Sequence, residues 1–274
     1  MDKEGFFIKQ FTSGRIGDDG AVVGKYVYSK DLFCEGVHFL RSWMSEYDIA
    51  VKSMLVNISD AIAMNAKPSF ALIGIVIPSN FELKQMRELA RGFEDVAKKY
   101  GIEVIGGDTT SGEKLMISIT IASHVEKPLF RNGMKIGDLV AYSGEIGRSK
   151  KELTRLLRGG KIGRNSRFIT PKLRGDFVYE ASRYMSAGLD ISDGLSKDLS
   201  RMCKSSGKLG VRFLKKLPKI LICSGEEYEM LFSFAPRYKA KILSIAKKNR
   251  LKINIFAKTL RKRYKSTCKE NHFS

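Results

Sequence analysis

Apolar and polar residues change their spacing several times along this chain, and each change marks an element. Residues 20–29 alternate about a Gly24-Lys25 turn, which predicts two short strands. Residues 48–65 are rich in Ala, Met, Leu and Ile and predict a helix closed by Lys67-Pro68. Its apolar positions, among them Val51, Met54, Leu55, Ile58 and Ile62, cover most of the circumference, so the helix reads as buried. Ser53, Asn57 and Asp60 fall at i, i+4 and i+7 and form one narrow polar stripe on it. The continuous apolar run 70–77 predicts a buried strand. Ser79 and Glu82 have the spacing of a capping box and open a helix that runs to Tyr100, with Gly101 at its left-handed end. A strand over 102–105 then ends in the turn GGDTTSG, and 116–123 alternate Ile117, Ile119 and Ile121 with Ser118 and Thr120 as a half-buried strand should.

Residues 126–137 carry Pro128, Asn132-Gly133 and Gly137 and read as a linker. Beyond it the pattern restarts with a strand at 139–142, a basic exposed run over 147–167, and a helix over 172–185. The turn LDISDG follows, then a helix to about Ser205, strands near 211–214 and 228–234, a helix near 236–249 and a strand near 252–256. This is an α+β pattern in two lobes, 1–127 and 128–274, with no short-period repeat or low-complexity segment.

Composition adds one unusual feature. Lys and Arg number 49 against 29 Asp and Glu, a formal charge of +20. The excess is scattered, which reads as a lysine-rich solvated surface. The densest stretch, 258–269, lies at the C-terminal end, and no helix-turn-helix or RNA-binding aromatic signature accompanies it. Four cysteines without a Cys-x-x-Cys pair, and three histidines, argue against a zinc site or a disulfide framework. The first residues lack a signal-peptide apolar region, and the run 70–77 is too short to span a bilayer, so the cytoplasm is expected.

Against this basic background, four segments place aspartates at turns or element ends: Gly17-Asp18-Asp19, Ser29-Lys30-Asp31, Gly106-Gly107-Asp108-Thr109, and Asp190-Ile191-Ser192-Asp193-Gly194. One Asp-Gly turn is ordinary turn chemistry. Four such segments also suit a hard cation such as Mg²⁺, which takes carboxylate, phosphate and water oxygens, beside glycines that let a phosphate approach the backbone. Asp60, on a helix apolar nearly all round, needs a partner: a metal ion or a hydrogen bond to a nearby cap. His38 and the acids Glu226, Glu227 and Glu229 have by themselves no more than a structural or solvated reading.

Taken in order, RIGDDGAVV (15–23), SKDLFCEGVHF (29–39), VNISDAIAMNAKP (56–68), GGDTTSG (106–112), LDISDGLSKDL (189–199) and SGEEYEMLF (224–232) resemble the thiamine-monophosphate kinase family. The resemblance spans residues 15–232, and EGVHF with the 56–68 helix separates it from the aminoimidazole ribonucleotide synthetase and selenophosphate synthetase relatives that share the two-lobed fold. It implies an aminoimidazole ribonucleotide synthetase-like α+β fold whose N-terminal lobe pairs across a two-fold axis into a shared β-barrel in a homodimer. It implies Mg²⁺-dependent transfer of the ATP γ-phosphoryl to thiamine monophosphate, giving thiamine diphosphate. By motif position, Asp19, Ser29, Asp31, Asp60, Asp108, Asp190 and Asp193 would serve several Mg²⁺ ions. Gly107, Asp108, Arg131 and Ser192 would serve ATP, and His38 and Glu226 would contact thiamine monophosphate. Asp60 and Asp108 would be the most critical of the acids.

The implied chemistry is consistent with the residue types. Two anionic substrates repel, and divalent ions screen that repulsion. The acceptor phosphate is already ionised at neutral pH, so positioning and electrostatics suffice without a strong general base. The chain departs from the family pattern in four places. Lys30 stands where Thr is common, GEIGRSK (144–150) replaces a Gly/Asp/small-residue stretch, the span between 195 and 224 is shortened, and Glu270 takes the position of an aromatic that stacks on thiamine. Two other readings remain at this point: a related ATP-dependent synthetase with another acceptor, and a non-catalytic protein that binds nucleic acid through its basic surface.

Overall fold

In the computed structural model, which describes residues 3–268, side-chain alternation sorts the strands into two five-stranded sheets. A short helix, α1 (Lys3–Ile8), precedes them. The first sheet is built from β1 (Ala21–Val23), β2 (Tyr26–Cys34), β3 (Lys67–Pro78), β4 (Glu103–Gly112) and β5 (Met116–His124), in the order β1-β2-β5-β3-β4. Every pairing is antiparallel except β3 with β4. A parallel pair needs a long crossover, and α3 (Leu83–Tyr100) provides it. On β2 and β5 one face carries Val27, Ser29, Phe33, Ile117, Ile119 and Ile121, all buried, and Asp31 lies in the same row opposite Ile119.

That inner face is covered by α2 (Glu46–Ala63). The helix starts where the Ser45 hydroxyl accepts the Asp48 N–H at 3.2 Å and donates to Asp48 Oδ2 at 2.7 Å. Glu46 and Asp48 add favourable charge to its first turn, and Asn65 with φ 57° turns the chain out of it into β3. Helix α3 packs on α2 at Gly92, where an added Cβ would lie 2.5 Å from Tyr47 O and 2.8 Å from the Ala50 Cβ. Its capping box pairs Glu82 with Gln85, three residues on from the expected Ser79–Glu82 pair, and Gly101 at φ 66° ends it as expected.

The second sheet contains β6 (Leu139–Ser143), β7 (Ala187–Asp190), β8 (Gly210–Phe213), β9 (Met230–Phe234) and β10 (Ile253–Leu260), in the order β7-β9-β6-β10-β8 and antiparallel throughout. Helix α2 touches both sheets. Phe33, Ile117 and Ile119 from the first join Phe232 and Phe234 from the second, and Phe177 from a helix beside it, in one continuous core. The division expected at 127/128 falls in the irregular stretch between β5 and β6. No described helix is long and apolar enough to cross a membrane.

Several expectations change. The GGDTTSG segment is not a turn but the second half of β4, because Gly106 and Gly107 have no side chains to oppose close pairing with β3; a Cβ on Gly107 would collide with the Ile73 carbonyl. The run 70–77 lies on a strand that is only partly buried, since Leu72 faces outward at 45 % exposure. The basic run contains a helix, α4 (Arg148–Leu157), and the helix expected over 172–185 shortens to α5 (Gly175–Ala181) and a 3-10 turn (Ser182–Tyr184). Helix α6 (Leu195–Ser205) follows the LDISDG turn as expected, the short α7 (Lys219–Ile222) was not expected, and α8 (Lys239–Lys248) covers part of 236–249. Cysteine spacing also misled: Cys223, just after α7, and Cys268 form a disulfide with Cα atoms 5.5 Å apart. Tertiary folding brings the C-terminal segment back to α7, which spacing along the chain does not encode. Glu270 and the ending through Phe273 lie outside the described residues.

Candidate functional site

Three aspartates from three separate segments meet where the two sheets approach. Carboxylate oxygens of Asp19, Asp60 and Asp190 lie within 4.8 Å of one another. Asp19 follows the turn at Gly17 and precedes Gly20, whose missing Cβ leaves room for Val27 Cγ1 and Tyr28 O on β2. Asp60 stands on α2, and Asp190 ends β7, where Ser59 Oγ donates to its Oδ2 at 2.6 Å. The predicted polar stripe of α2 faces β2: Asn57 accepts from Ser29 Oγ at 2.6 Å and donates from Nδ2 to Ile119 O at 2.5 Å. Ser29 and Asp31 thus sit on the row that looks toward Asp60.

The charges in this cluster oppose one another. Burial, then repulsion from Asp31, Asp190 and Asp19, pushes the Asp60 carboxyl well above the usual carboxylate range. Asp190 is raised likewise, by burial and then by Asp19, and Asp31 is pushed up to about 6 by burial and by Asp19. Asp19 is raised by burial in spite of an ion pair with Arg131. Arg131 also donates from Nη1 to Gly17 O at 3.2 Å, and its backbone N–H bonds Asp18 Oδ1 at 2.6 Å. Burial works against the Arg131 charge, but Asp19, Asp190 and Asp18 more than offset it. On α6 a second arginine does the same work: Arg201 pairs with Asp193 and, at 3.1 Å, with fully buried Asp198, whose carboxyl burial lifts to about 7.

An all-oxygen set of crowded carboxylates is the donor chemistry of a hard divalent cation. Asp19 Oδ2 is buried with no hydrogen-bond partner among the described residues, so the cluster has an acceptor atom to give to such an ion. The residues present fit Mg²⁺.

Not every expected residue reaches this cluster. Asp193 lies three residues past Asp190, beside Arg201, and Ser192 turns its carbonyl to the Glu226 N–H at 2.7 Å. Gly107 and Asp108 are on β4, at the far edge of the first sheet from β1 and β2. Asp108 pairs in register with Gly74, is exposed, and accepts the Thr109 N–H at 2.9 Å. Within one chain it does not join Asp19, Asp60 and Asp190.

His38 and Glu226 are linked through Phe33 and Lys52. His38 Nδ1 accepts the Cys34 N–H at 3.0 Å, and its ring stacks on Phe33 at 5.5 Å between centroids. Glu226 holds a left-handed backbone, φ 54°, and its carboxylate pairs with Lys52 Nζ at 3.2 Å. The neighbouring acids have internal partners. Glu227 Oε1 accepts the Gly147 and Ser149 N–H groups at the start of α4, at 2.7 and 3.2 Å. Fully buried Glu229 binds Arg167 at 2.6 Å and Arg174 Nε at 2.7 Å. Sequence reasoning passed over Lys52, Ser59, Asp198 and Arg201. The available signals were a lysine on a helix apolar all round and a third aspartate in LDISDGLSKDL.

With this geometry in view, the relatives are informative. The family model for AIR synthase related protein, N-terminal domain, matches residues 17–125. A thiamine-monophosphate kinase of Aquifex aeolicus is 31 % identical over 252 residues, covering 82 % of this chain and 82 % of that protein. One of Nitrosopumilus maritimus is 33 % identical over 224 residues, covering 75 % and 72 %. A solved structure of AaThiL complexed with AMPPCP and TMP superposes with a TM-score of 0.84 at 27 % identity, covering 96 % of this chain and 91 % of the other.

Proposed function

The chain belongs to the thiamine-monophosphate kinase family, and from that membership we propose how its own residues phosphorylate thiamine monophosphate with ATP. It is an ATP-dependent phosphotransferase with a mixed α+β, AIR synthase-like fold. The observation that carries the residue assignment is the convergence of Asp19, Asp60 and Asp190. Five raised carboxyls (Asp19, Asp31, Asp60, Asp190 and Asp198) against two paired arginines make a pocket that favours divalent cations. Asp19, Asp31, Asp60 and Asp190, with Ser29, would hold Mg²⁺, which supplies charge neutralisation to the two phosphate groups when bound. Arg131 and Ser192 serve ATP beside it.

The acceptor is a phosphate oxygen of thiamine monophosphate, ionised at neutral pH, and it attacks the γ-phosphorus in line as ADP leaves. No residue has to remove a proton. The work of the protein is to hold two anions together and aim them. Glu226 and His38 would receive the aminopyrimidine end of the acceptor, with Glu226 as hydrogen-bond acceptor for its amine.

The partner in this reading is a second copy of the chain. The outer face of the first sheet carries Tyr28, Leu32 and Leu72 at 43 %, 53 % and 45 % exposure, and β4 is almost wholly exposed. A long exposed strand at a sheet edge demands cover. A two-fold barrel of two such sheets would cover these residues and put Gly107 and Asp108 of each copy in the shared barrel. ATP as co-substrate supports the cytoplasm as the compartment. The test is direct: with Mg²⁺, ATP and thiamine monophosphate, the purified protein forms thiamine diphosphate and ADP in equal amounts. ADP without thiamine diphosphate would point instead to another acceptor. Sedimentation that gives a monomer at micromolar concentration would remove the barrel.

A further inference from the structure

Lysine is among the residues least often fully buried, and Lys52, in the middle of α2, has no exposed surface. A buried ammonium must be compensated. Two groups do so. Glu226 Oε1 lies 3.2 Å from Nζ, and the Phe168 ring lies beneath Nζ with its centroid 3.5 Å away. The Phe33 ring is 5.7 Å away on another side, and that ring stacks on His38. The ammonium therefore touches one of the side chains assigned to the acceptor, Glu226, and is linked to the other, His38, through the Phe33 ring. Glu226 itself is 24 % exposed in its side chain: one edge is held from within by Lys52 and the rest opens outward.

Phe168 is brought there by the segment 158–174, which crosses α2 as a strap. Arg164 Nε bonds Asp48 Oδ1 at 3.0 Å, Phe168 N–H donates to Glu152 Oε2 at 2.8 Å, and Arg167 and Arg174 both grip buried Glu229. Asp48 and Lys52 are one turn apart on α2, so the strap meets the helix at successive turns. The ring is fixed at both ends before it meets the ammonium. A cation between an aromatic face and a carboxylate is restrained in position as well as paired. That restraint passes to Glu226 through the 3.2 Å ion pair.

We propose that Lys52, clamped by Phe168, is a positioning residue that fixes the Glu226 carboxylate as the acceptor for an aminopyrimidine, and so sets affinity for the phosphate-bearing acceptor substrate rather than for ATP. This rests on the assignment of Glu226 to thiamine monophosphate. A residue that acts through Glu226 must show itself in the acceptor KM and must not add to the loss of Glu226.

The experiment is a double-mutant cycle with Lys52→Met, Glu226→Gln and the pair, read by steady-state kinetics and by calorimetric titration of thiamine monophosphate. Lys52→Met is expected to raise the KM for thiamine monophosphate about tenfold or more, with the KM for ATP within about twofold. The double variant should be no worse than the poorer single one. Losses that multiply, or a KM for thiamine monophosphate that does not move, overturn the proposal. So does a fall in kcat with both KM values unchanged. If Lys52→Met does not fold, Phe168→Leu keeps the lysine and removes the ring; it should raise the same KM by a smaller factor, and an unchanged KM overturns the proposal. Wild-type protein that binds thiamine monophosphate but does not phosphorylate it would retire the kinase reading and leave the Lys52 test intact through calorimetry.

Discussion

Removing divalent ions should make this protein less stable as pH rises, and adding Mg²⁺ should reverse that. The magnitude comes from the crowded carboxyls. Asp31 titrates at about 6 and Asp198 at about 7 in the folded chain, against 3.8 for an ordinary Asp. These differences of about 2 and 3 pH units correspond to about 3 and 4 kcal/mol. Both folded values lie above the unfolded one, so the folded state binds these protons more tightly. The stability they contribute is complete below about pH 4 and is lost as pH rises through about 6 and 7. Asp60 and Asp190 are raised for the same reason and push in the same direction. Mg²⁺ at a hundred times its Kd returns about 2.7 kcal/mol, or roughly 5–10 °C in Tm for a chain of this size. Protons compete for the same oxygens, so the gain must be larger near pH 8 than near pH 5. The assay is thermal unfolding in EDTA and in millimolar Mg²⁺ at both pH values. A Tm in EDTA that does not fall from pH 5 to 8, or a Mg²⁺ gain that is equal or larger at pH 5, would refute the electrostatic account of the cluster.

Three further outcomes follow from the same geometry. Asp60→Asn removes a buried charge that faces Asp31, Asp190 and Asp19, so it should raise Tm in EDTA while lowering kcat by about a hundredfold or more, as measured by melting and by thiamine diphosphate formation. Reducing the Cys223–Cys268 disulfide opens a loop of 45 residues, and in the chain-entropy view costs about 4 kcal/mol, visible as a lower urea midpoint with dithiothreitol than without. Gly92→Val places a side chain against Tyr47 O and Ala50, and should part α3 from α2 at a cost of about 1–3 kcal/mol in urea unfolding.

Much of this protein is readable from local pattern. The 3.6-residue period of α2, the alternation of β5 and the left-handed Gly101 each rest on near neighbours in the chain, and each appears as expected. The aspartate segments were legible because Asp and Gly recur at element ends, and their order carried the family likeness. What the chain could not state by itself was which groups meet. GGDTTSG has the composition of a turn, yet its glycines let it extend along β3 and carry Asp108 to the edge of the sheet. The disulfide joins residues 45 apart because the C-terminal segment folds back on α7. Nothing in the helix pattern singles out Lys52; Phe168, Phe33 and Glu226 come from three distant segments to enclose it. Propensity and periodicity act over a few residues. Burial, charge crowding and pKa arise only when segments far apart in sequence exclude water from the same few ångströms, and that is where the chemistry of this site is decided.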